Sequence, residues 1–125
     1  MDNQPERKVF LIINQQITPI VKDVTRFGRQ LDNDIVLQEE SISRNHAEIG
    51  IEGGEYILTD KQSTSGTFVN GRRIVRCVLN SGDLISLAKT QIMFVNNNSK
   101  IADHSKLSTN DLSSKTAPKG SINAG

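Results

Sequence analysis

The sequence is poor in the residues on which several protein classes depend. One cysteine in 125 residues excludes a disulfide framework within the chain, and with two histidines a structural zinc site is not expected. The formal net charge is only +1, so no strong field attracts nucleic acid or a membrane surface. The longest apolar run, Val9 to Ile13, is too short to span a bilayer, and residues 1–8 contain no apolar run of signal length. We expect a soluble cytoplasmic protein, or a nuclear one in a eukaryote, with no metal or cofactor.

Composition divides the chain into three parts. All aromatic residues lie between Phe10 and Phe94, whereas the stretch after Val95 is rich in Ser, Thr, Lys and Asn. Its few apolar residues are too sparse to build a core. The sequence therefore predicts a flexible N-terminus over 1–6, one folded domain over 7–95, and a disordered tail or linker over 96–125.

The folded part shows short, strand-like apolar patterns. Ala47, Ile49 and Ile51 alternate with more polar positions, and a Gly53-Gly54 turn follows them. Pro19 predicts that the segment from 17 to 25 is an edge strand or a broken one. No window supports a long amphipathic helix. Many short strands joined by glycine-rich turns indicate an all-β sandwich.

Polar clusters occupy consecutive loops between these strands. They are Gly28-Arg29, then Ser43-Arg44-Asn45-His46, then Asp60 with the run from Ser63 to Gly71. A guanidinium can hold two phosphate oxygens at once, and hydroxyls add further donors. The clusters include neither a metal-ligand set nor an activated nucleophile. They therefore predict a surface that recognises a phosphate group, although each residue alone could be an ordinary exposed arginine or turn serine.

A hydrolase built on Ser43 and His46 is the first alternative. The two residues lie in one tight segment, and the sequence contains no G-x-S-x-G motif, so we reject it. The more economical role of His46 is to bond loop backbone and orient Ser43. Asp60 is expected to bond nearby backbone and to have no ligand role. A basic set formed by Arg72, Arg73, Arg76 and Lys89 is either a solvated face or a secondary contact for an acidic peptide.

Taken in order, these motifs resemble the forkhead-associated (FHA) domain. The segment Asn80-Ser81-Gly82-Asp83, followed by Ile85, is similar to a further motif of that family. The resemblance covers about Val9 to Val95. It implies a β-sandwich of about eleven strands with ligand loops at one end, and recognition of phosphothreonine peptides without catalysis.

The resemblance also implies roles for individual residues. Arg29, Ser43 and Thr64 would contact the phosphate, and Arg44 falls where the family often has a further contact. Ser65 stands where the family usually has an asparagine that bonds the ligand backbone, so the grip on the peptide is expected to differ here. The residues that would shape the loops are Gly28, His46, Gly66 and Asn70.

The function predicted from the sequence is a phosphothreonine-peptide-binding interaction module in kinase-dependent signalling. The alternative is a phosphate-independent protein–protein scaffold with the same fold. The expected partner is a phosphothreonine-containing protein or peptide, without nucleic acid or membrane. Thr109 in the tail, followed by Asn110, Asp111 and Leu112, suggests phosphorylation-dependent self-association.

Overall fold

Eleven strands make up the regular structure of the computed structural model, which describes residues 9–97. They are β1 (Val9–Ile13), β2 (Gln16–Pro19), β3 (Val24–Gly28), β4 (Ile35–Val36), β5 (Ala47–Glu52), β6 (Glu55–Asp60), β7 (Thr67–Val69), β8 (Arg72–Ile74), β9 (Arg76–Val78), β10 (Leu84–Leu87) and β11 (Thr90–Asn96). No helix long and apolar enough to cross a membrane occurs in this part of the chain.

The strands form two sheets. The larger sheet has the order β2-β1-β11-β10-β7-β8, and the smaller sheet has the order β4-β3-β5-β6-β9. Strand pairs are antiparallel except for β3 and β4. In β1 every second side chain is buried, as expected for a strand with one face against a core. Both sheets contribute to a single hydrophobic cluster whose largest fully buried members include Phe27, Phe94, Leu11, Ile49 and Leu58.

The all-β sandwich expected from the sequence is confirmed, with differences at individual strands. The segment containing Pro19 is broken into β2 and β3, and β2 is an edge strand. Strand β9 was not predicted, because its sequence Arg-Cys-Val has no clear alternation and leaves two of three residues exposed. Strand β11 continues to Asn96, one residue past the predicted domain end. The predictions for residues 1–6, for 98–125 and for Thr109 lie outside the described residues.

The register of the smaller sheet brings three loops to one end of the sandwich. Phe27 near the end of β3 pairs with Ala47 at the start of β5, and Ala47 pairs with Asp60 at the end of β6. The loops 29–34, 37–46 and 61–66 therefore leave the sheet side by side. They contain most of the polar clusters identified in the sequence.

Candidate functional site

A shallow depression lies where these loops meet. It is lined by Arg29, Glu40, Ser41, Ile42, Ser43, Arg44 and Thr64. Four of the five residues that the sequence predicts to contact a ligand thus line one surface. The fifth, Ser65, does not line it.

Arg29 is held by backbone contacts with the facing loop. Its N–H donates to the Ser43 carbonyl at 3.0 Å, and its side-chain Nε donates to the Ile42 carbonyl at 2.8 Å. The side chain is exposed, and its two terminal amino groups have no protein partner among the described residues. The guanidinium is therefore fixed at one edge and presents its remaining donors to solvent.

Gly28 allows the two loops to approach each other closely. A Cβ atom at this position would overlap the carbonyl oxygen of Arg44 and would lie 2.7 Å from the Asn33 Nδ2 atom. The absence of a side chain therefore sets the distance between the loop that carries Arg29 and the loop that carries Ser43.

Asn33 joins the same two loops and was not identified from the sequence. Its buried Nδ2 donates to the carbonyls of Gln30 at 2.9 Å and Arg44 at 2.7 Å. In the sequence it is one polar residue within a polar turn, and nothing there shows that its amide is buried. It is a supporting residue, because both of its bonds go to backbone.

Two hydroxyl groups complete the depression. The Thr64 N–H donates to the Ser43 Oγ at 3.1 Å, so this oxygen accepts a bond from the neighbouring loop while its own hydrogen stays available. The Thr64 residue is exposed, and its hydroxyl has no protein partner in the part of the chain that the structure describes. Both groups can donate to an anion placed beside Arg29.

His46 lies fully buried beneath the depression. The Ser43 N–H donates to its Nδ1 at 3.1 Å, which leaves Nε2 to carry the proton and donate to the Gly66 carbonyl at 2.9 Å. The backbone of His46 also accepts from the Lys61 N–H at 2.8 Å. The ring thus ties the Ser43 loop to the Gly66 loop.

Asp60 organises the loop that carries Thr64. Its carboxylate accepts bonds from the Ser63 hydroxyl, from the Ser63 N–H at 3.2 Å and from the Thr67 hydroxyl at 2.7 Å. The Ser63 oxygen in turn accepts from the Gly66 N–H at 3.0 Å. Partial burial raises the pKa of the Asp60 carboxyl, but the bonds from Ser63 and Thr67 outweigh this and hold the pKa below its usual value.

This carboxylate should make folding stability sensitive to acid. Because its folded pKa is depressed, Asp60 stabilises the fold above its unfolded value of 3.8 and stops doing so as pH falls through the lower folded value. We expect Asp60→Asn to cost about 1.5–3 kcal/mol of unfolding free energy at pH 7, and less at pH 3. Urea unfolding from pH 3 to 7 measures this, with exposed Asp32→Asn as the control. An unchanged cost across that range would contradict the assigned role of the carboxylate.

Ser65 has a different position from the one expected of a ligand contact. Its hydroxyl donates to the Ser41 carbonyl at 2.7 Å, which links the loop of Thr64 to the loop of Ser43. The same hydrogen is not available to a ligand. In this structure Ser65 therefore supports Ser41, a residue that lines the depression.

Gly66 and Asn70 support different parts of the structure. Gly66 has φ +90, and the Arg73 guanidinium packs against it, so that a Cβ there would lie 2.9 Å from the Arg73 Nε. Asn70 lies at the other end of β7, where it bonds Asp83 and the Leu84 N–H. The expectation that Asn70 shapes the ligand loops is therefore wrong, because Asn70 stabilises a turn at the opposite end of β7 from those loops.

The predicted basic set is also spread over separate surfaces. Arg73 lies on β8 near Gly66, whereas Arg76 lies on β9 and pairs with Glu52 at 3.0 Å. The local positive charge at the depression comes instead from Arg29 and Arg44. Among residues 9–97 no group of three or more potential ligands is placed to hold a metal ion. The arrangement can bind a compact anion by charge and by hydrogen bonds.

Comparison with known proteins gives consistent matches. The FHA domain family profile matches residues 25–88. The glycogen accumulation regulator GarA of Mycolicibacterium smegmatis is 39% identical over 71 residues, a match that covers 57% of this chain and 45% of GarA. The transcriptional regulatory protein EmbR of Mycobacterium tuberculosis is 40% identical over 77 residues, which cover 61% of this chain but 20% of EmbR. The chain thus spans less than half of either relative.

Solved structures show the same architecture. M. tuberculosis EmbR in complex with a low affinity phosphopeptide superposes with a TM-score of 0.68 at 34% identity, covering 70% of this chain and 24% of EmbR. A domain solved in a study of phosphothreonine-dependent FHA domain interactions gives a TM-score of 0.66 at 29% identity. That match covers 70% of this chain and 94% of the domain.

Proposed function

The chain belongs to the FHA domain family, and from this membership we propose that it is a phosphothreonine-peptide-binding module in kinase-dependent signalling. The observation that carries the proposal is the depression in which Arg29, Ser43 and Thr64 meet from three separate loops. The phosphopeptide bound to EmbR, a relative of the same fold, supports it further. The partner is a protein or peptide that carries phosphothreonine.

The chemistry of the depression matches a phosphate group. A phosphate carries about −1.5 to −2 charges at neutral pH and three strong acceptor oxygens. Arg29 supplies donors that are already fixed at one edge by the Ile42 carbonyl, and the Ser43 hydroxyl is oriented by the Thr64 N–H. An unphosphorylated threonine has no phosphate oxygens to accept hydrogen bonds from Arg29, Ser43 and Thr64. A peptide that carries it should therefore bind more weakly.

Two further side chains adjust this site. Arg44 is exposed at the depression and can add charge to the phosphate or to the peptide near it. Glu40 also lines the depression and carries a negative charge close to the anion site. We propose that Glu40 disfavours acidic peptide residues beside the phosphothreonine, because like charges at short distance repel each other.

The proposal contains no catalytic step. A serine nucleophile needs a base with a free nitrogen beside its hydroxyl. The two ring nitrogens of His46 are bonded to the Ser43 N–H and the Gly66 carbonyl, and neither bonds the Ser43 hydroxyl. This arrangement supports a binding domain rather than a hydrolase.

Calorimetric titration of the full chain tests the proposal. A binding peptide is first selected from a degenerate phosphothreonine library. It is then titrated in phosphorylated and unphosphorylated forms of identical sequence. We expect the unphosphorylated form to bind at least about a hundredfold more weakly, since it lacks two or more charge-assisted bonds. Equal binding of the two forms would instead favour the phosphate-independent scaffold. Self-association through phosphorylated Thr109 and cytoplasmic localisation stay predictions.

A further inference from the structure

The outward face of the larger sheet is apolar over four neighbouring strands. Cross-strand pairs place side chains on the same face, and the pairs Ile17–Ile12, Ile12–Met93 and Met93–Leu84 form one continuous row. The pairs Pro19–Phe10 and Phe10–Val95 form a second row beside it. Together these residues are called the apolar face; they are Phe10, Ile12, Ile17, Pro19, Leu84, Met93 and Val95. The other outward positions on these four strands are Ser86 and Gln91, and they too are uncharged.

The outward face of the smaller sheet gives a comparison within the same molecule. One outward row, Arg26–Glu48–Thr59–Arg76, crosses four strands and carries charges of both signs, whereas the neighbouring outward row, Val24–Gly50–Ile57–Val78, is uncharged. An antiparallel sheet with one buried face normally has polar residues on the other face. The apolar face differs from the smaller sheet because none of the outward positions on its four strands carries a charge.

Water has access to the apolar face in the structure. Ile17 is 66% exposed and Met93 is 38% exposed, and the remaining members are partly or largely exposed. Contiguous apolar surface of this kind on a soluble domain marks an interaction site more often than chance. Burying it gains roughly 25 cal/mol for each Å² removed from water.

We propose that the apolar face is where a second copy of this chain docks. A face without charges can meet its own copy across a two-fold axis, because no like charges oppose each other and no ion has to leave water. Pairing by edges is disfavoured at β2, which is only four residues long and ends in Pro19, a residue without a backbone N–H. Packing face to face is therefore the geometry that remains on this side of the sandwich.

The size of the face sets the strength of the dimer. Four strands about 4.8 Å apart, with five residues of about 3.4 Å each, give a patch of roughly 19 by 17 Å. The area of this patch is well below the roughly 800 Å² that each partner buries in a standard stable interface. We therefore expect a weak, reversible dimer with a dissociation constant on the order of 100 µM, which forms at high local concentration.

Docking by this face leaves the depression open. Arg29 and Ser43 belong to loops of the smaller sheet at one end of the sandwich, whereas the apolar face covers the outside of the larger sheet. A dimer would carry two phosphate-binding depressions and could bind two phosphothreonines of one partner with increased avidity. The dimer does not itself depend on phosphate binding, so the two proposals can fail independently.

Sedimentation velocity of the unphosphorylated full chain from about 5 to 500 µM tests the dimer. We expect the average mass to rise towards twice the monomer mass over this range. Met93→Lys and Ile17→Lys should each weaken the association more than tenfold, because they place like charges on both sides of the interface. The matched control is Val75→Lys, which adds the same charge at a residue that is 77% exposed and lies outside the apolar face. Thermal melts and phosphopeptide titration of each variant check that the fold and the depression are intact.

Methyl NMR with a soluble paramagnetic agent identifies the occupant. Signals of Ile17 and Met93 that are bleached at low concentration and protected at high concentration support the second copy. Protection at low concentration in a monomer would show that a segment of the same chain covers the face, and would overturn the proposal. A monomer with bleached signals at every concentration would assign the face to a different protein and would overturn it as well.

Discussion

Arg29→Ala is expected to weaken phosphothreonine-peptide binding by about a hundredfold or more. Hydrogen bonds to charged groups contribute about 1.5–3 kcal/mol each, and the two free terminal amino groups of Arg29 allow two of them. The side chain is exposed and makes one bond within residues 9–97, to the Ile42 carbonyl, so the fold should keep most of its stability. Calorimetry measures the affinity, and a thermal melt confirms folding.

Two further variants separate geometry from charge. Arg29→Lys keeps the charge but loses the planar fork and the Nε bond, so it should restore little of the affinity. Arg72→Ala removes another exposed arginine, on β8 and outside the depression, and should leave binding unchanged. Wild-type affinity in Arg29→Ala, or an equal loss in Arg72→Ala, would show that the phosphate binds elsewhere.

Gly28→Ala is expected to lower both the stability and the affinity, although it adds a single methyl group. The new Cβ would overlap the Arg44 carbonyl oxygen and would lie 2.7 Å from the Asn33 amide nitrogen. Backbone on both sides must move, which breaks the bonds from Asn33 and Gln30 to the Arg44 carbonyl. We expect a loss of about 2–4 kcal/mol in unfolding free energy, as for other overpacked sites with broken buried bonds.

The same chain offers a matched control for this substitution. Gly50 lies within β5, and nothing is within 4 Å of a Cβ placed there. Gly50→Ala should be neutral or stabilising by up to about 1 kcal/mol, because alanine restricts the unfolded chain. Urea unfolding of both variants gives the comparison. If Gly28→Ala were as stable as Gly50→Ala and bound phosphopeptide equally well, the close approach at Gly28 would have no consequence.

Local sequence patterns predicted much of this fold, and the misses have physical causes. The alternation of apolar and polar residues predicted β5, because Ala47 and Ile49 face the core while Glu48 faces water. Strand β9 has no such signal, because it is an edge strand whose only inward residue is Cys77. It is fixed by pairing with β6, which is distant in sequence.

The sequence likewise predicted some residues of the site and missed others. The resemblance selected Arg29, Ser43 and Thr64 as neighbours, and the register of the strands brings them to one depression. It could not select Asn33, whose importance comes from a carbonyl eleven residues away. It also could not foresee that the Ser65 hydroxyl bonds Ser41, because that contact depends on the distance between two loops.

The pairing of Val9 with Asn96 has a mechanical consequence. These residues are opposed at the first and last strand positions of the described domain, at the end of the sandwich away from the depression, so their Cα atoms are about 5 Å apart. Tension applied at these two points would pull β1 and β11 apart along the direction of their hydrogen bonds, starting at this end, so the bonds would break one after another rather than together. The domain should therefore yield to small forces, and rupture would begin far from the loops. A bound phosphopeptide would add little resistance to the first step, which single-molecule pulling with and without ligand can measure.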